Sequence, residues 1–552
     1  MSESAQPILS VKNLQITYPS SNKYAVDNIS FDLAAGEKLG FVGESGSGKS
    51  TIGRSIVRLL PPGSLVNGTA QFQGKSIFDL DPEGLRKFRG EAVSIVFQDP
   101  MTRLNPLMTV GQHCMETVLA HEPELGKAGA KARTLAALDA VKIEESRWQQ
   151  YPHEFSGGMR QRVAIALALV LNPKMIVADE PTTSLDVRVS AEILRELTRL
   201  CQERNMALML ISHDLAMMAE YCDRIMVMKD GKPIETGSVQ QIFEAPQAPY
   251  TQELLKSALH IQSGDVGRSP VNTDKPLLKL VNLQKNYDLD TGFLQKIMGD
   301  SKTIKAVDNV NLELYEGEIF GLVGESGCGK STLSRTILQL IPATGGIVEF
   351  AGQDLAKLSR QAMQSNRRQI QMIFQDPSAS LNPKMTIGDS IADVLLIHKI
   401  ATPEIAREKV LAILDKVGLS PALEFVDRYP NQLSGGQQQR VGIARALITE
   451  PKLIICDEPV SMLDATIQSQ VLDLMLELKE AYNLTYLFIT HDLWLARFLC
   501  DRIAVMNKGQ IVEFGETQQI FSNPTHPYTK ELLGAAPLLA KKSSWQDNYR
   551  SK

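Results

Sequence analysis

GFVGESGSGKST (Gly40–Thr51) returns almost unchanged as GLVGESGCGKST (Gly321–Thr332). Each copy follows a compact apolar run, Leu39–Val42 or Ile319–Val323, and precedes a stretch compatible with a helix. The frames Gly43-x-x-x-x-Gly48-Lys49-Ser50 and Gly324-x-x-x-x-Gly329-Lys330-Ser331 are those of a phosphate-binding loop. Glycines Gly43, Gly46 and Gly48, with Gly324, Gly327 and Gly329, let consecutive N–H groups turn inward toward anionic oxygens. The helix that follows adds its positive end. Lys49 and Lys330 reach toward the outer phosphates, and Ser50 and Ser331 suit a Mg²⁺ shell. Ser45, Thr51, Ser326 and Thr332 complete the two cradles. Strand, glycine turn and helix in that order predict an α/β fold with a largely parallel core sheet.

Working outward, the rest of the chain also repeats. IVFQDP (Ile95–Pro100) returns as MIFQDP (Met372–Pro377), and FSGGMRQRVAIALAL (Phe155–Leu169) as LSGGQQQRVGIARAL (Leu433–Leu447). VADEPTTSLD (Val177–Asp186) returns as ICDEPVSMLD (Ile455–Asp464), and ISHDL (Ile211–Leu215) as ITHDL (Ile489–Leu493). All recur in the same order at a nearly constant spacing of about 280 residues, so the chain is a tandem duplication rather than a short-period solenoid. The expected division is a first domain at 1–260, a polar linker at 261–276, a second domain at 277–540 and a polar tail at 541–552. Further apolar runs, Lys174–Ala178, Lys452–Cys456, Ala207–Ile211 and Tyr486–Ile489, read as strands buried on both faces.

Four of the repeated stretches carry chemistry. Asp179-Glu180 and Asp457-Glu458 each end a strand-like run. The first carboxylate suits the Mg²⁺ shell, and the second suits holding and polarising an attacking water in line with a terminal phosphate. His213 and His491 end the next run, where each would contact that phosphate and help position the water. Gln98 and Gln375 would touch Mg²⁺ or the water and report on what is docked nearby. Taken singly, each of these is an ordinary residue at a strand end; their recurrence in register is the signal. Ser156-Gly157-Gly158 and Ser434-Gly435-Gly436 each open an apolar helical run and form a second anion cradle per copy. One nucleotide does not need two cradles from one domain. The expected resolution is a head-to-tail sandwich, in which the phosphate loop of one copy and the Ser-Gly-Gly cradle of the other close on the same ATP.

The set resembles the ATP-binding cassette family, with Walker A, Q-loop, signature, Walker B, D-loop and H-loop in order, twice, over essentially the whole chain. The resemblance implies two tandem P-loop nucleotide-binding domains, each a RecA-like α/β core with a β subdomain and a helical subdomain. The helical parts would span about 99–155 and 376–433. It implies ATP and Mg²⁺ as cofactors and ATP hydrolysis as the activity. By resemblance, Tyr18 and Tyr287 match the aromatic that stacks on adenine, and Asp186 and Asp464 match the D-loop that crosses to the other site. The second signature, Leu433–Gln437, fits with Gln437 in place; the first departs from it, with Met159 at that position. Glu180, His213, Glu458 and His491 are intact, so the resemblance implies two competent sites, of equal or unequal rate.

RLNP (Arg103–Pro106), SLNP (Ser380–Pro383), APYTQELL (Ala248–Leu255) and HPYTKELL (His526–Leu533) resemble the peptide/nickel group of bacterial importers. The resemblance implies uptake of di- and oligopeptides through two transmembrane permease subunits, with a substrate-binding protein acting indirectly. Glutathione, nickel or another peptide-like cargo is the alternative. Location at the cytoplasmic face of the membrane, as a peripheral subunit, follows. No Cys lies between Tyr250 and Pro276, so no iron–sulfur site is expected there.

Composition excludes several other classes. The chain has 552 residues, 43% hydrophobic, with 58 Lys+Arg against 63 Asp+Glu and a net charge of −5. That balance gives no global attraction to nucleic acid. A soluble tandem cassette acting on ribosomes or DNA would commonly carry a basic linker or a long coiled-coil insertion; Ile261–Pro276 is charge-neutral and the repeats leave no room for the second. No nucleic-acid partner is expected. Six scattered cysteines without metal spacing read as reduced thiols. No apolar run reaches the ~18 residues of a spanning helix, and no secretory signal is visible at the start. The second copy has an insertion, Thr291–Val307, to which no role is assigned.

Overall fold

The computed structural model describes residues 6–19, 21–99, 103–183, 185–263, 274–288 and 303–535. The interior of the expected linker (264–273), most of the Thr291–Val307 insertion and the tail Lys541–Lys552 lie outside the described residues. The chain forms two compact units, the first within 1–258 and the second within 259–536.

In the first unit a six-stranded sheet runs in the order Lys232–Ser238, Arg224–Lys229, Lys38–Val42, Ala207–Ile211, Met175–Asp179, Val93–Val96. All neighbours are parallel except the Lys232–Ser238 edge. The second unit repeats the order with Gln510–Glu516, Arg502–Asn507, Ile319–Val323, Thr485–Thr490, Leu453–Asp457 and Ile370–Ile373, and the same single antiparallel edge. The expected parallel core is therefore present in both. The central strands read as continuous apolar runs because both faces are covered: Leu39, Phe41, Val177, Met209 and Ile211 are all fully buried. Burying one such large side chain contributes about 1.5–3 kcal/mol.

A four-stranded antiparallel sheet lies beside each core, built from Tyr24–Leu33, Leu9–Thr17, Leu65–Phe72 and Lys75–Ser76 in the first unit. Its counterpart uses Thr303–Tyr315, Pro276–Asp288, Gly345–Phe350 and Gln353–Asp354. Leu9, Leu14, Ile29 and Leu33 from this sheet share one hydrophobic core with Leu39 and Phe41. The two sheets thus clamp the phosphate-loop helix, Lys49–Ile56, whose Ile52 and Ile56 belong to the same core. Helices Val110–His121 and Gly126–Ala140, and Ile387–Ile397 and Pro403–Lys416, form the helical segment between Q-loop and signature in each unit. Among the described residues no helix is long and apolar enough to cross a membrane. All six cysteines are buried and unpaired with one another.

Candidate active site

In each unit the phosphate loop, the glutamine, the paired acids and the histidine stand at the carboxyl ends of the parallel strands, where side chains leave the sheet, whereas Ser156 and Ser434 follow short turns of the helical segment instead. Gly48 and Gly329 occupy the N-cap positions of the phosphate-loop helices with φ of 95° and 114°. A Cβ there would come within 2.3 Å of the Ala25 carbonyl oxygen and 2.1 Å of that of Ala306, so only glycine fits. Lys49 is buried, and its Nζ donates to the carbonyls of Gly43 at 2.7 Å and Glu44 at 2.8 Å. Lys330 Nζ does the same toward Gly324 at 2.7 Å and Glu325 at 3.0 Å. Each ammonium thus rests on carbonyls of its own loop.

Ser50 Oγ donates to Asp179 Oδ1 at 2.6 Å, and Ser331 Oγ to Asp457 Oδ1 at 3.3 Å. Burial pushes both aspartates above the ordinary range, and the neighbouring Glu180 or Glu458 charge adds to it; Ser50 or Ser331 and the nearby cations offset only part. A buried carboxylate whose charge is under-compensated, touching a hydroxyl on a phosphate loop, fits a hard divalent cation such as Mg²⁺. Such a cation needs few protein ligands when phosphates supply the rest.

Glu180 and Glu458 follow their strands with φ of 48° and 49°, left-handed backbone that costs an L-residue about 1 kcal/mol or more. Each N–H is tied to the adjacent strand, Glu180 to the Ile211 carbonyl and Glu458 to that of Ile489, both at 2.9 Å. The strain re-aims the carboxylate toward two other motifs. Gln98 Nε2 donates to Glu180 Oε2 at 2.7 Å, and His213 Nδ1 lies 3.4 Å from Glu180 Oε1. Gln375 Nε2 donates to Glu458 Oε2 at 2.9 Å, and His491 Nδ1 lies 3.1 Å from the same oxygen. Burial alone would raise both glutamates, but the imidazoles and the loop lysines outweigh it and hold them below the usual carboxylate range. His491 moves the other way: burial would lower it, yet the Glu458 charge beside it leaves it above its ordinary value. The imidazoles are placed by Asp214 and Asp492, which cap the next short helices through two backbone N–H groups each.

Ser156 and Ser434 are the N-caps of the signature helices Gly157–Leu169 and Gly435–Leu447. Gln437 returns the bond, its Oε1 accepting the Ser434 N–H at 3.0 Å, which completes a capping box. Met159 cannot, and its sulfur lies instead 3.6 Å from Arg147 Nη1. The second glycines have a packing reason that the motif alone does not reveal: a Cβ on Gly158 would meet Val189 Cγ1 at 2.4 Å, and on Gly436 would meet Ile467 Cγ2 at 2.5 Å. Asp186 and Asp464 occupy the N-cap positions of the helices carrying those residues; Asp186 accepts the Val189 N–H at 2.9 Å, a side-chain cap that Asp464 does not make. Tyr18 Oη is 2.9 Å from Thr51 Oγ1, beside the loop, whereas Tyr287 is 41% exposed with Lys285 Nζ over its ring.

Two contributors escaped sequence reasoning. Thr183 Oγ1 donates to Glu180 Oε2 at 2.9 Å, and Arg54 Nη2 lies 3.8 Å from Asp179. The hydroxyl three residues after the glutamate recurs as Ser461, whose Oγ donates to the Glu458 carbonyl, and that recurrence was the available signal.

The chain belongs to the ABC transporter family, which matches residues 26–183 and 307–461. It is an ATP-hydrolysing subunit of the import type, binding ATP through two tandem cassettes. The C-terminal region of oligopeptide/dipeptide transporters matches residues 234–281 and 512–552. The glutathione import ATP-binding protein GsiA of Pectobacterium atrosepticum is 41% identical over 96% of this chain and 90% of its own. The GsiA of Escherichia coli K12 has the same identity and coverage. The dimeric post-hydrolysis structure of the ATP-binding cassette MJ0796, bound to ADP and Pi, is 32% identical over 44% of this chain and 98% of its own, with a TM-score of 0.39.

Proposed function

We propose that this chain drives glutathione uptake, with each domain, 1–260 and 277–540, supplying one phosphate loop and one Ser-Gly-Gly cradle to two shared ATP sites. The likeness to glutathione import ATP-binding proteins over nearly the whole chain carries the choice of cargo. It favours glutathione over the di- and oligopeptides that the sequence motifs first suggest; the oligopeptide/dipeptide C-terminal region is compatible with both, glutathione being a tripeptide. The partners are two transmembrane permease subunits at the cytoplasmic face of the membrane, with a substrate-binding protein acting through them.

In this reading Lys49 and Lys330 leave their loop carbonyls for the β- and γ-phosphates. Ser50, Asp179 and Gln98, and Ser331, Asp457 and Gln375, would hold Mg²⁺, which would supply charge neutralisation at the phosphates. Gln98 and His213 give up Glu180 as they engage the loaded site. Losing both donors raises the basicity of Glu180, which then accepts a hydrogen bond from the attacking water and aligns it; Gln375, His491 and Glu458 do the same in the other copy. Tyr18 and Tyr287 stack on adenine, and Asp186 and Asp464 cross to the opposite site. The γ-phosphate is gripped from both sides only when the cassettes close, so ATP favours closure by its differential affinity for that state. The test is uptake of labelled glutathione, a dipeptide and nickel by cells expressing this chain with its permeases. Glutathione accumulation that needs both Glu180 and Glu458 supports the proposal; uptake of only the dipeptide or nickel overturns the cargo.

A further inference from the structure

In the second unit a tyrosine from the C-terminal region reaches the phosphate loop. The Glu325 N–H donates to Tyr528 Oη at 3.2 Å. The carbonyl of the same residue accepts from Lys330 Nζ at 3.0 Å and from the Cys328 N–H at 3.2 Å. Glu325 is therefore the point where the loop is tied outward to Tyr528 and inward to its own lysine. The loop's far side is pinned by the Gly509 N–H, which donates to the Cys328 carbonyl at 2.8 Å.

Tyr528 is itself held rigidly. It sits in the first turn of the helix Pro527–Ala535 and is buried. The N-terminus of that helix is anchored to the core sheet by Glu513 on the edge strand. Glu513 Oε1 accepts from the Thr525 N–H at 2.6 Å and Thr525 Oγ1 at 2.8 Å, and Oε2 accepts the His526 N–H at 3.1 Å. Burial alone would raise this carboxyl, yet those donors together with the Thr529 hydroxyl hold it down at about 2. The first unit repeats the anchor: Glu235 accepts the N–H groups of Gln247 at 2.8 Å and Ala248 at 3.1 Å, just ahead of Tyr250. There Lys229 Nζ lies over the Tyr250 ring at 4.3 Å, where the second unit has Asn507. A sheet-anchored hydroxyl on a loop amide constrains backbone that must otherwise be ordered when a triphosphate binds.

We propose that Tyr528 is a positioning residue for the second phosphate loop, through which the C-terminal region sets ATP affinity at that site. The inference rests on the assignment of Lys330 to the triphosphate and adds a regulator to it. Tyr528→Phe removes only the hydroxyl and keeps the buried ring. In the full chain carrying Lys49→Ala, to silence the first loop, Tyr528→Phe weakens ATP binding by calorimetry about threefold to tenfold, the range expected for one lost hydrogen bond. Turnover per bound ATP and the melting temperature stay at the parent's values. Amide hydrogen exchange of the segment Gly321–Thr332 speeds up without nucleotide, while Gly40–Thr51 serves as an internal reference and does not change. Glu513→Gln, which loosens the anchor, moves affinity and exchange the same way. Wild-type exchange and affinity in Tyr528→Phe overturn the proposal, as does faster exchange in both segments with a lower melting temperature. The exchange measurement needs no nucleotide, so a failed assignment of Lys49 or Lys330 is distinguishable from a failed tether.

Discussion

Glu180 and Glu458 share a conformation, a strained backbone and a pair of donors, so their replacement is the sharpest test at the scale of single residues. Glu180→Gln with Glu458→Gln keeps shape and hydrogen bonding but removes the charge proposed to align water. The double variant is expected to bind ATP tightly and to hydrolyse it at less than about a hundredth of the parent rate in the assembled transporter. Unchanged phosphate release would defeat the catalytic assignment. A pH dependence follows from the Glu458–His491 pair. His491 titrates above its ordinary 6.5 in the folded chain, so its stabilising charge is complete below 6.5 and is lost as pH rises through the elevated value. Glu458 lies below 4.5, so its contribution persists above 4.5 and disappears only on stronger acidification. The urea midpoint of unfolding should therefore fall as pH rises above the ordinary histidine value, and His491→Gln should flatten that slope. An identical slope in the variant would show that other groups control it.

At the scale of elements the two signature helices make a natural comparison. The Gly435–Leu447 helix has a reciprocal cap and the Gly157–Leu169 helix lacks one arm of it, because Met159 offers no acceptor to the Ser156 N–H. Gln437→Met is expected to cost about 0.5–1 kcal/mol in denaturant unfolding, and Met159→Gln to gain a similar amount. Gly158→Ala belongs to the same element and acts through packing. Its Cβ would press on Val189 at 2.4 Å, forcing the signature helix away from the helix Val187–Glu203. Overpacking of that kind costs about 1–3 kcal/mol, read as a lowered melting temperature even without nucleotide. A variant that melts normally but loses only ATP-driven closure would assign Gly158 to the nucleotide instead.

For the whole molecule, duplication places a complete set of loop lysine, strand-end carboxylates, glutamine and histidine in each unit. Lys49→Ala should weaken nucleotide binding at the first loop and leave the second occupied, so calorimetry should count one ATP per chain. Loss of both sites would show that binding at one depends on the other. Purification from membranes should recover two polytopic partners with the full chain.

The phosphate-loop pattern, the strand-end acids, the parallel core and the duplication are legible in the sequence itself, because each is a local pattern: periodicity, spacing and residue type report on neighbours along the chain. Thr183 beside Glu180, Val189 under Gly158 and Tyr528 against Glu325 were not, since they join residues from different elements. Tyr528 meets Glu325 from a helix that Glu513 roots on the edge strand, which the strand Arg502–Asn507 separates from the phosphate-loop strand. The left-handed backbone at Glu180 and Glu458 was equally hidden, as neither residue type announces a positive φ and only the surrounding sheet makes that strain tolerable. Local patterns along the chain thus single out residues that the fold gathers at the strand ends, while folding chose which of them touch, since contact energy is a property of packed neighbours and not of sequence order.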